Sequence, residues 1–384
     1  YIYRNDSKNG HVRFTDVTWQ VAPFLKNIGM VCDALWTDYN NDGWPDLILA
    51  GEWMPVTFLE NQKGVFKDLT AESSIAAVKG WWNSIAAGDF DNDGDMDYIV
   101  GNLGLNSFYK ASSKYPVRAY GKDFDNNGIY DMIPSLYLKD QQGDLKEYPA
   151  EGRDDMLKQM NSLRKKFPSY RDFALATMND IRSEKDREGA LILEANEFRT
   201  CFLRNDGNGR FSIQPLPNPV QISMINGMVV DDFDEDGNLD VLMTGNDYGT
   251  EPSVGRYDAL NGLLLRGDGK GDFHPLSIEQ SGIFIPGNGK ALVELRGPDG
   301  KTRVAASQNR GFLKLFSLQH SQALIPVKDK ATDFMISLNN GQKRKQEIYY
   351  GSSFLSQSGR YIKKTKAVMG IQKKNSDGKW VAFE

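Results

Sequence analysis

The sequence predicts an all-β protein built from repeated four-stranded units, and two observations carry this prediction. An acidic loop of the form Asp-x-[Asp/Asn]-x-[Asp/Asn]-Gly-x-x-Asp occurs four times among the 384 residues. Short apolar segments flank every copy, and polar Asn/Gly turns separate further segments of the same kind, which is typical of β-strands. Four antiparallel strands per unit, at periods of about 35 to 50 residues, favour a β-propeller.

Each acidic loop joins two predicted strands. The strands before the loops lie at residues 30–36, 84–87, 117–120 and 228–230, and those after them at 47–50, 98–100, 132–133 and 241–243. Two further strands follow the first loop, at 56–60 and 65–69, and the fourth loop, at 262–266 and 272–275. The turns NDSKNG from Asn5 and RNDGNGRF from Arg204 have the form of the turn between the outer two strands of a unit.

Alternate acidic positions suit a hard cation. Calcium takes six to eight oxygen ligands, and the glycine at position 6 permits the sharp turn around the ion. The ligands predicted at positions 1, 3, 5 and 9 are Asp38, Asn40, Asp42 and Asp46; Asp89, Asp91, Asp93 and Asp97; Asp123, Asp125, Asn127 and Asp131; and Asp232, Asp234, Asp236 and Asp240. We therefore predict about four structural Ca²⁺ sites, with weaker binding at the first and third loops, which have three carboxylates each.

Other interpretations of the loop are disfavoured. The closing acid is Asp at position 9 and strands flank the loop, whereas an EF-hand closes with Glu at position 12 between helices. Mg²⁺ prefers few protein ligands and several waters. An acidic turn without a metal is the alternative, but clustered anions repel one another unless a cation neutralises them.

The stretch GDFDNDGDMDYIVGN from Gly88 resembles the FG-GAP/VCBS repeat of integrin α-chain propellers and bacterial surface proteins. The resemblance covers residues 1–318 and implies that the acids of all four loops bind calcium. It also implies a ligand from the backbone carbonyl of position 7, which is Trp44, Asp95, Ile129 or Asn238.

The units also predict a blade count. Residues 1–19 supply only two outer strands, four metal-bearing units follow, and residues 284–318 form a unit whose turn, RGPDGKTR, lacks the acids. This gives about five and a half blades in a propeller domain at 1–320. We expect a longer protein whose N-terminal part completes seven blades; the alternative is six-bladed closure with the half blade.

A helical insertion is predicted at residues 152–187, between the third and fourth loops. Met156, Met160, Leu163 and Phe167 recur at helical spacing, and Pro168 should divide the segment into two helices. We place the insertion between the second and third strands of the third unit. It is either a cap on the propeller or a partner-docking element.

Residues 321–384 differ in charge from the rest. They contain 12 Lys and Arg against 5 Asp and Glu, a net charge of +7, which leaves −12 for residues 1–320. The pattern of Glu347, Gly351-Ser352 and Leu355-Ser356-Gln357 resembles the ASPIC/UnbV module that follows VCBS-type propellers, in Bacteroidetes among others. We predict a small β module here, and we interpret its lysines as a solvated face rather than a nucleic-acid site.

Binding is favoured over catalysis. The three histidines, His11, His274 and His320, are isolated in the sequence, and no nucleotide or serine-hydrolase motif is present. The alternative is a carbohydrate-active lyase or glycosidase that uses acids outside the loops, which are Glu52, Glu194, Glu197 and Glu251. Aromatic residues near strand ends either stack on sugars or fill gaps between blades, and these are Trp53, Trp81, Trp82, Tyr248 and Tyr257.

The sequence thus predicts a non-enzymatic, calcium-stabilised propeller that binds a protein or a glycan. No apolar run of about 20 residues could form a transmembrane segment. Calcium affinities of extracellular modules favour an extracellular location. The resemblance implies an exported bacterial protein at the outer-membrane surface, a lipoprotein that serves as an accessory subunit of an uptake or secretion complex.

Overall fold

The computed structural model describes residues 1–252, 254–318, 323–328, 330–352, 354–375 and 377–383. The protein is all-β, as predicted, and consists of small antiparallel sheets with a few short helices. None of the described helices is long and apolar enough to cross a membrane. His320 lies outside the described residues.

Four sheets, called I to IV, follow a paired strand segment formed by β1 (Tyr3–Asn5) and β2 (Phe14–Asp16). Sheet I contains β3 (Met30–Thr37), β4 (Asp46–Pro55), β5 (Thr57–Gln62), β6 (Val65–Asp68) and, beside β4, β7 (Lys79–Trp81). Sheet II contains β8 (Ser84–Gly88), β9 (Asp97–Gly101), β14 (Cys201–Asn205) and β15 (Phe211–Pro215). Sheet III contains β16 (Ile225–Asp231), β17 (Asp240–Gly245), β18 (Leu263–Gly267) and β19 (Phe273–Leu276). Sheet IV contains β20 (Gly289–Arg296), β21 (Thr302–Gln308) and β22 (Lys314–Ser317).

The first strands of these sheets lie side by side, because β3 contacts β8, β8 contacts β16, and β16 contacts β20. Apolar side chains fill the space between neighbouring sheets. Sheets I and II enclose the buried residues Ile48, Phe58, Trp82, Ile85 and Tyr98. Each sheet is therefore buried against its neighbours, and the loops after the first strands come together at one edge.

The third acidic loop belongs to an inserted sheet, which corrects the predicted order of units. This sheet consists of β10 (Val117–Lys122), β11 (Asp131–Lys139), β12 (Leu145–Pro149) and β13 (Leu191–Ala195), all between β9 and β14 of sheet II. The RNDGNGRF turn joins β14 to β15, and β14 pairs with β9. The prediction of four successive metal-bearing units is thus wrong, because the strand signals do not reveal which strands pair.

The helices of the chain are short. They are α1 (Thr18–Val21), α2 (Arg153–Gln159), α3 (Leu163–Lys166), α4 (Tyr170–Ala174), α5 (Met178–Ile181) and α6 (Ile278–Ser281), with 3₁₀ turns at Pro23–Leu25, Thr70–Glu72 and Asn218–Ile222. The predicted helical insertion exists, but it follows the third strand of the inserted sheet and contains four helices instead of two. Capping boxes at Ser169 and Thr177 begin α4 and α5. The predicted apolar residues pack with Tyr120 and Ile133, so the helices cap the inserted sheet.

The C-terminal module, defined as the described residues from 323 to 383, is a β structure, as predicted. Its strands are β23 (Ala323–Pro326), β24 (Asp333–Leu338), β25 (Lys343–Glu347), β26 (Tyr361–Lys364), β27 (Val368–Lys374) and β28 (Trp380–Ala382). They form a β23–β26 pair and a sheet of order β25-β24-β27-β28. Buried Phe334, Ile336, Ile362 and Ile371 give the module a core of its own.

Candidate metal centres

All four acidic loops have the same backbone conformation. Positive φ angles occur at position 4, in Asn41, Asn92, Asn126 and Glu235, and at position 6, in Gly43, Gly94, Gly128 and Gly237. The glycines were predicted from the need for positive φ, and Asn is the side chain that tolerates this region best. The Asn at position 4 of three loops was the sequence signal for the second left-handed residue, and it was missed.

Hydrogen bonds wrap each loop around its acidic side chains. The N–H of position 6 donates to Oδ2 of position 1 at 2.9–3.1 Å, and the N–H of position 7 donates to Oδ1 of position 5 at 2.7–2.8 Å. These bonds orient the predicted side chains of positions 1 and 5. They also fix the backbone N–H group of the residue at position 7, which is Trp44, Asp95, Ile129 or Asn238.

Positions 1, 3 and 9 converge in three of the loops. Oxygens of Asp89, Asp91 and Asp97 lie within 4.8 Å of one another, as do those of Asp123, Asp125 and Asp131, and of Asp232, Asp234 and Asp240. Among the described residues, the first loop has no such acidic triplet, because its position 3 is Asn40. Its amide oxygen accepts from the N–H of Asp42 at 3.0 Å.

The donor set fits a divalent cation. Several loop oxygens are buried without a hydrogen-bond partner, and these are Oδ1 of Asp38, Asp91, Asp125 and Asp232 and Oδ2 of Asp46. Burial, reinforced by neighbouring carboxylates, raises the pKa of Asp89 to about 7 and that of Asp97 to about 8. A cation between these carboxylates would favour their ionised form, and hard oxygen donors favour Ca²⁺.

The first, second and fourth loops are linked to one another; we call them the ring loops. Asn41 Nδ2 donates to Asp95 Oδ1 at 2.5 Å, and Asn92 Nδ2 donates to Asn238 Oδ1 at 3.2 Å. Position 4 of the first loop thus bonds position 7 of the second, and position 4 of the second bonds position 7 of the fourth. The closing Asp of each ring loop also accepts an N–H from the third strand of its own sheet, at 2.7–3.0 Å, from Asn61, Asn205 or Gly267.

The third loop stands apart. Its closing residue, Asp131, accepts a bond from the N–H of Phe124 at 2.9 Å, and no bond from a third strand is present among the described residues. Ile129 and Tyr130 are 67% and 59% exposed. The same sequence motif therefore forms three connected sites and one peripheral site.

The basic residues of the C-terminal module were misinterpreted from the sequence. Arg344, Lys345 and Lys363 are only 5%, 3% and 8% exposed, so the prediction of a solvated face is wrong for them. Lys363 forms ion pairs with Asp231 of β16 and Glu294 of β20. The opposite net charges of the two regions were the signal for this docking.

The predicted carbohydrate-site residues do not form one site. Trp82 is fully buried, and Trp81 packs against Trp53, Tyr109 and Phe198 with ring centroids 4.9–5.0 Å apart, as expected for gap filling. Tyr257 belongs to the same apolar cluster, and Tyr248 lies under the Arg256 guanidinium. Glu194 pairs with Arg118 at 3.1 Å, and Glu197 pairs with Arg199.

Burial, with the Asp247 charge, raises the pKa of Glu52. His11 and His274 are exposed.

Comparison with known proteins agrees with this geometry. Residues 38–100 match the FG-GAP-like repeat. An FG-GAP-like repeat is therefore present in this chain. The match runs from the start of the first loop through the second loop and into β9. FG-GAP repeats are typical of extracellular domains, generally occur in non-enzymatic binding proteins, and often bind calcium. No curated protein matches the chain.

Proposed function

We propose that this chain is the calcium-stabilised part of an extracellular β-propeller that binds a protein or glycan partner at the cell surface. The side-by-side first strands of sheets I to IV support a propeller. The finer assignments, an ASPIC/UnbV-type module and an accessory lipoprotein at a bacterial outer membrane, rest on the sequence resemblance.

The observation that carries the calcium proposal is the set of buried, unpartnered carboxylate oxygens inside the loops. A buried carboxylate oxygen without a partner costs about 1–3 kcal/mol, and more when it is charged. A cation in each loop removes this cost and the repulsion between the acids. Asp38, Asp46 and Asp232 are each no more than 1% exposed, so water cannot substitute freely.

Melting of the full chain with calcium and with chelator tests this proposal. At a Kd of about 0.1 mM, typical of the tighter extracellular modules, about 2 mM Ca²⁺ stabilises by about 1.8 kcal/mol per site, or about 7 kcal/mol over four sites, which should raise Tm by at least ~5 °C over EDTA. Mg²⁺ at the same concentration is the control and should raise it much less. Equal midpoints in calcium and chelator would sink the proposal.

The inserted sheet carries the surface that we propose for a protein partner. Tyr130 Oη donates to the carbonyl of Gly121, and Leu191 pairs with Gly121 across the strands, so both side chains lie at one spot. Together with Ile129, the chain neighbour of Tyr130, they form an apolar patch whose members are 48–67% exposed. Exposed contiguous apolar side chains of this kind mark interaction sites.

Cross-linking to native membrane extracts, with a glycan array in parallel, tests the surface. The double variant Ile129→Ser and Leu191→Ser should abolish the cross-link that the wild-type chain forms. The control is Val65→Ser, which removes a 54% exposed apolar side chain from sheet I. If both variants cross-link as wild type does, the patch is not the partner site; a signal on the array alone would identify a glycan ligand.

A further inference from the structure

The C-terminal module forms direct hydrogen bonds with the ring loops. The backbone N–H of Lys345 donates to Asp89 Oδ2 at 2.7 Å, and its Nζ donates to the carbonyl of Asp38 at 3.0 Å and to Asn41 Oδ1 at 2.6 Å. Glu347 Oε1 accepts from the N–H of Asp38 at 3.0 Å. One strand, β25, therefore bonds both the first and the second loop.

The fourth loop is held by the same module. Arg344 donates to the carbonyl of Gly237 at 2.5 Å, and Thr365 Oγ1 donates to Asp232 Oδ2 at 3.3 Å. Among the described residues, no hydrogen bond or ion pair joins the module to the third loop. The module thus contacts the ring loops and leaves the peripheral one free.

These contacts use the outer atoms of the loops. Oδ2 of Asp89 and Oδ2 of Asp232 already accept the N–H groups of Gly94 and Gly237. The remaining acceptors are two backbone carbonyls and the position-4 amide of Asn41. Oδ1 of Asp38 and Oδ1 of Asp232 stay buried and unpartnered on the inner side. A cation inside the loop and β25 outside it therefore do not compete for the same atoms.

Two module cations lie at the ring loops and oppose a further cation there: Lys374 Nζ is 3.6 Å from Asp38 Oδ2, and Arg344 donates to the carbonyl of Gly237. Coupling therefore requires that ordering of the loop backbone outweighs this repulsion.

The charges on β25 at the first loop do not add to this repulsion. Lys345 Nζ lies 2.9 Å from Glu347 Oε1, and both side chains are nearly fully buried, so β25 brings a neutralised pair to the first loop. A cation in that loop repels this pair little. What the pair requires is a fixed position of the loop backbone, and empty loops with mutually repelling acids do not provide it.

We propose that docking of the C-terminal module is coupled to calcium at the three ring loops, so that each strengthens the other. This inference rests on the proposed calcium binding. By linkage, the factor by which calcium strengthens docking of the module must equal the factor by which docking strengthens calcium binding. The third loop takes no part in this coupling.

Hydrogen exchange of the full chain measures docking directly, because the Lys345 N–H bonds a loop carboxylate. Calcium should slow exchange in residues 343–347 by about tenfold or more, the range of typical coupling. Asp91→Ala and Asp234→Ala should each abolish much of this gain, since among the described residues position 3 makes no hydrogen bond or ion pair with the module. Asp125→Ala, the same position in the third loop, is the matched control and should preserve it. Amides between β24 and β27 report module folding and should change less.

The reciprocal measurement is calcium affinity in the Asp125→Ala background, where only ring loops bind. The double variant Lys345→Met and Glu347→Gln should weaken calcium about fivefold or more. Lys379→Met, at an exposed lysine between β27 and β28 of the module, is the control and should leave affinity unchanged.

The outcomes separate this inference from the proposed function. Calcium that raises Tm but leaves exchange at 343–347 unchanged overturns the coupling and keeps the calcium sites. The same holds if Asp125→Ala acts as strongly as Asp91→Ala. A chain that binds no calcium overturns both.

Discussion

The ring loops and the third loop share one nine-residue pattern but have different surroundings. In the ring loops, two position-4 side chains bond a neighbouring loop, the closing Asp bonds a third strand, and β25 covers the outer side. In the third loop these connections are absent among the described residues, and its tip is exposed. The motif therefore determines the loop conformation, whereas the neighbouring sheets determine whether a loop stabilises the whole chain or only one sheet.

Substitution of the closing Asp at position 9 should give the largest difference in stability between a ring loop and the third loop. Asp97 is fully buried and accepts the N–H groups of Phe90 and Asn205, so Asp97→Ala leaves both donors unpartnered and removes a proposed metal ligand. We expect a loss of ~3–5 kcal/mol in the free energy of unfolding. Asp131→Ala removes a single described bond, from Phe124, and should cost about half as much.

Urea denaturation in calcium measures both variants. Asp97→Ala should lower the midpoint of the main transition, while Asp131→Ala should act first on the inserted sheet, as exchange in β10 and β11 would show. Equal losses of global stability would mean that the third loop is as central as the ring loops.

Lys363 allows the contribution of the docked module to the stability of sheets III and IV to be measured. Lys363 is buried between Asp231 of β16 and Glu294 of β20, so Lys363→Met leaves two acids without their cation. We expect a loss of ~3 kcal/mol, typical of a broken buried pair. Lys366→Met removes an exposed lysine 3.9 Å from Glu235 and should cost less than ~0.5 kcal/mol. Similar denaturation midpoints for the two variants would show that docking of the module adds little to the stability of these sheets.

The sequence was sufficient for local structure. Asp, Asn and Gly at fixed positions required a turn with positive φ, and the flanking apolar runs required strands, so the loops and their strand pairs were predicted correctly. Short apolar runs such as those that begin at Ile85 and Tyr98 also marked the strands that are buried between sheets.

Pairing between distant segments could not be predicted in this way. Residues 201–203 pair with 98–100 across the inserted sheet, and no local pattern distinguishes this partner from β11. The docking of Lys345 and Lys363 was missed for a similar reason, because a buried lysine and a solvated one look alike until their acidic partners are located in space. Charge complementarity between the two regions was the available signal.

The smallest effect isolates one bond between loops. Asn92→Gly keeps the left-handed backbone, with φ 57°, but removes the bond from Nδ2 to Asn238 Oδ1. Asn126→Gly makes the same change in the third loop, at φ 56°, where no bond to another loop is present among the described residues. The added chain entropy of glycine is the same in both variants, so their difference in unfolding free energy measures the bond, which we expect to be about 0.5–1.5 kcal/mol. If the two variants lose equal stability by urea denaturation in calcium, the ring loops are held together by β25 and the sheets, and the position-4 bonds contribute nothing.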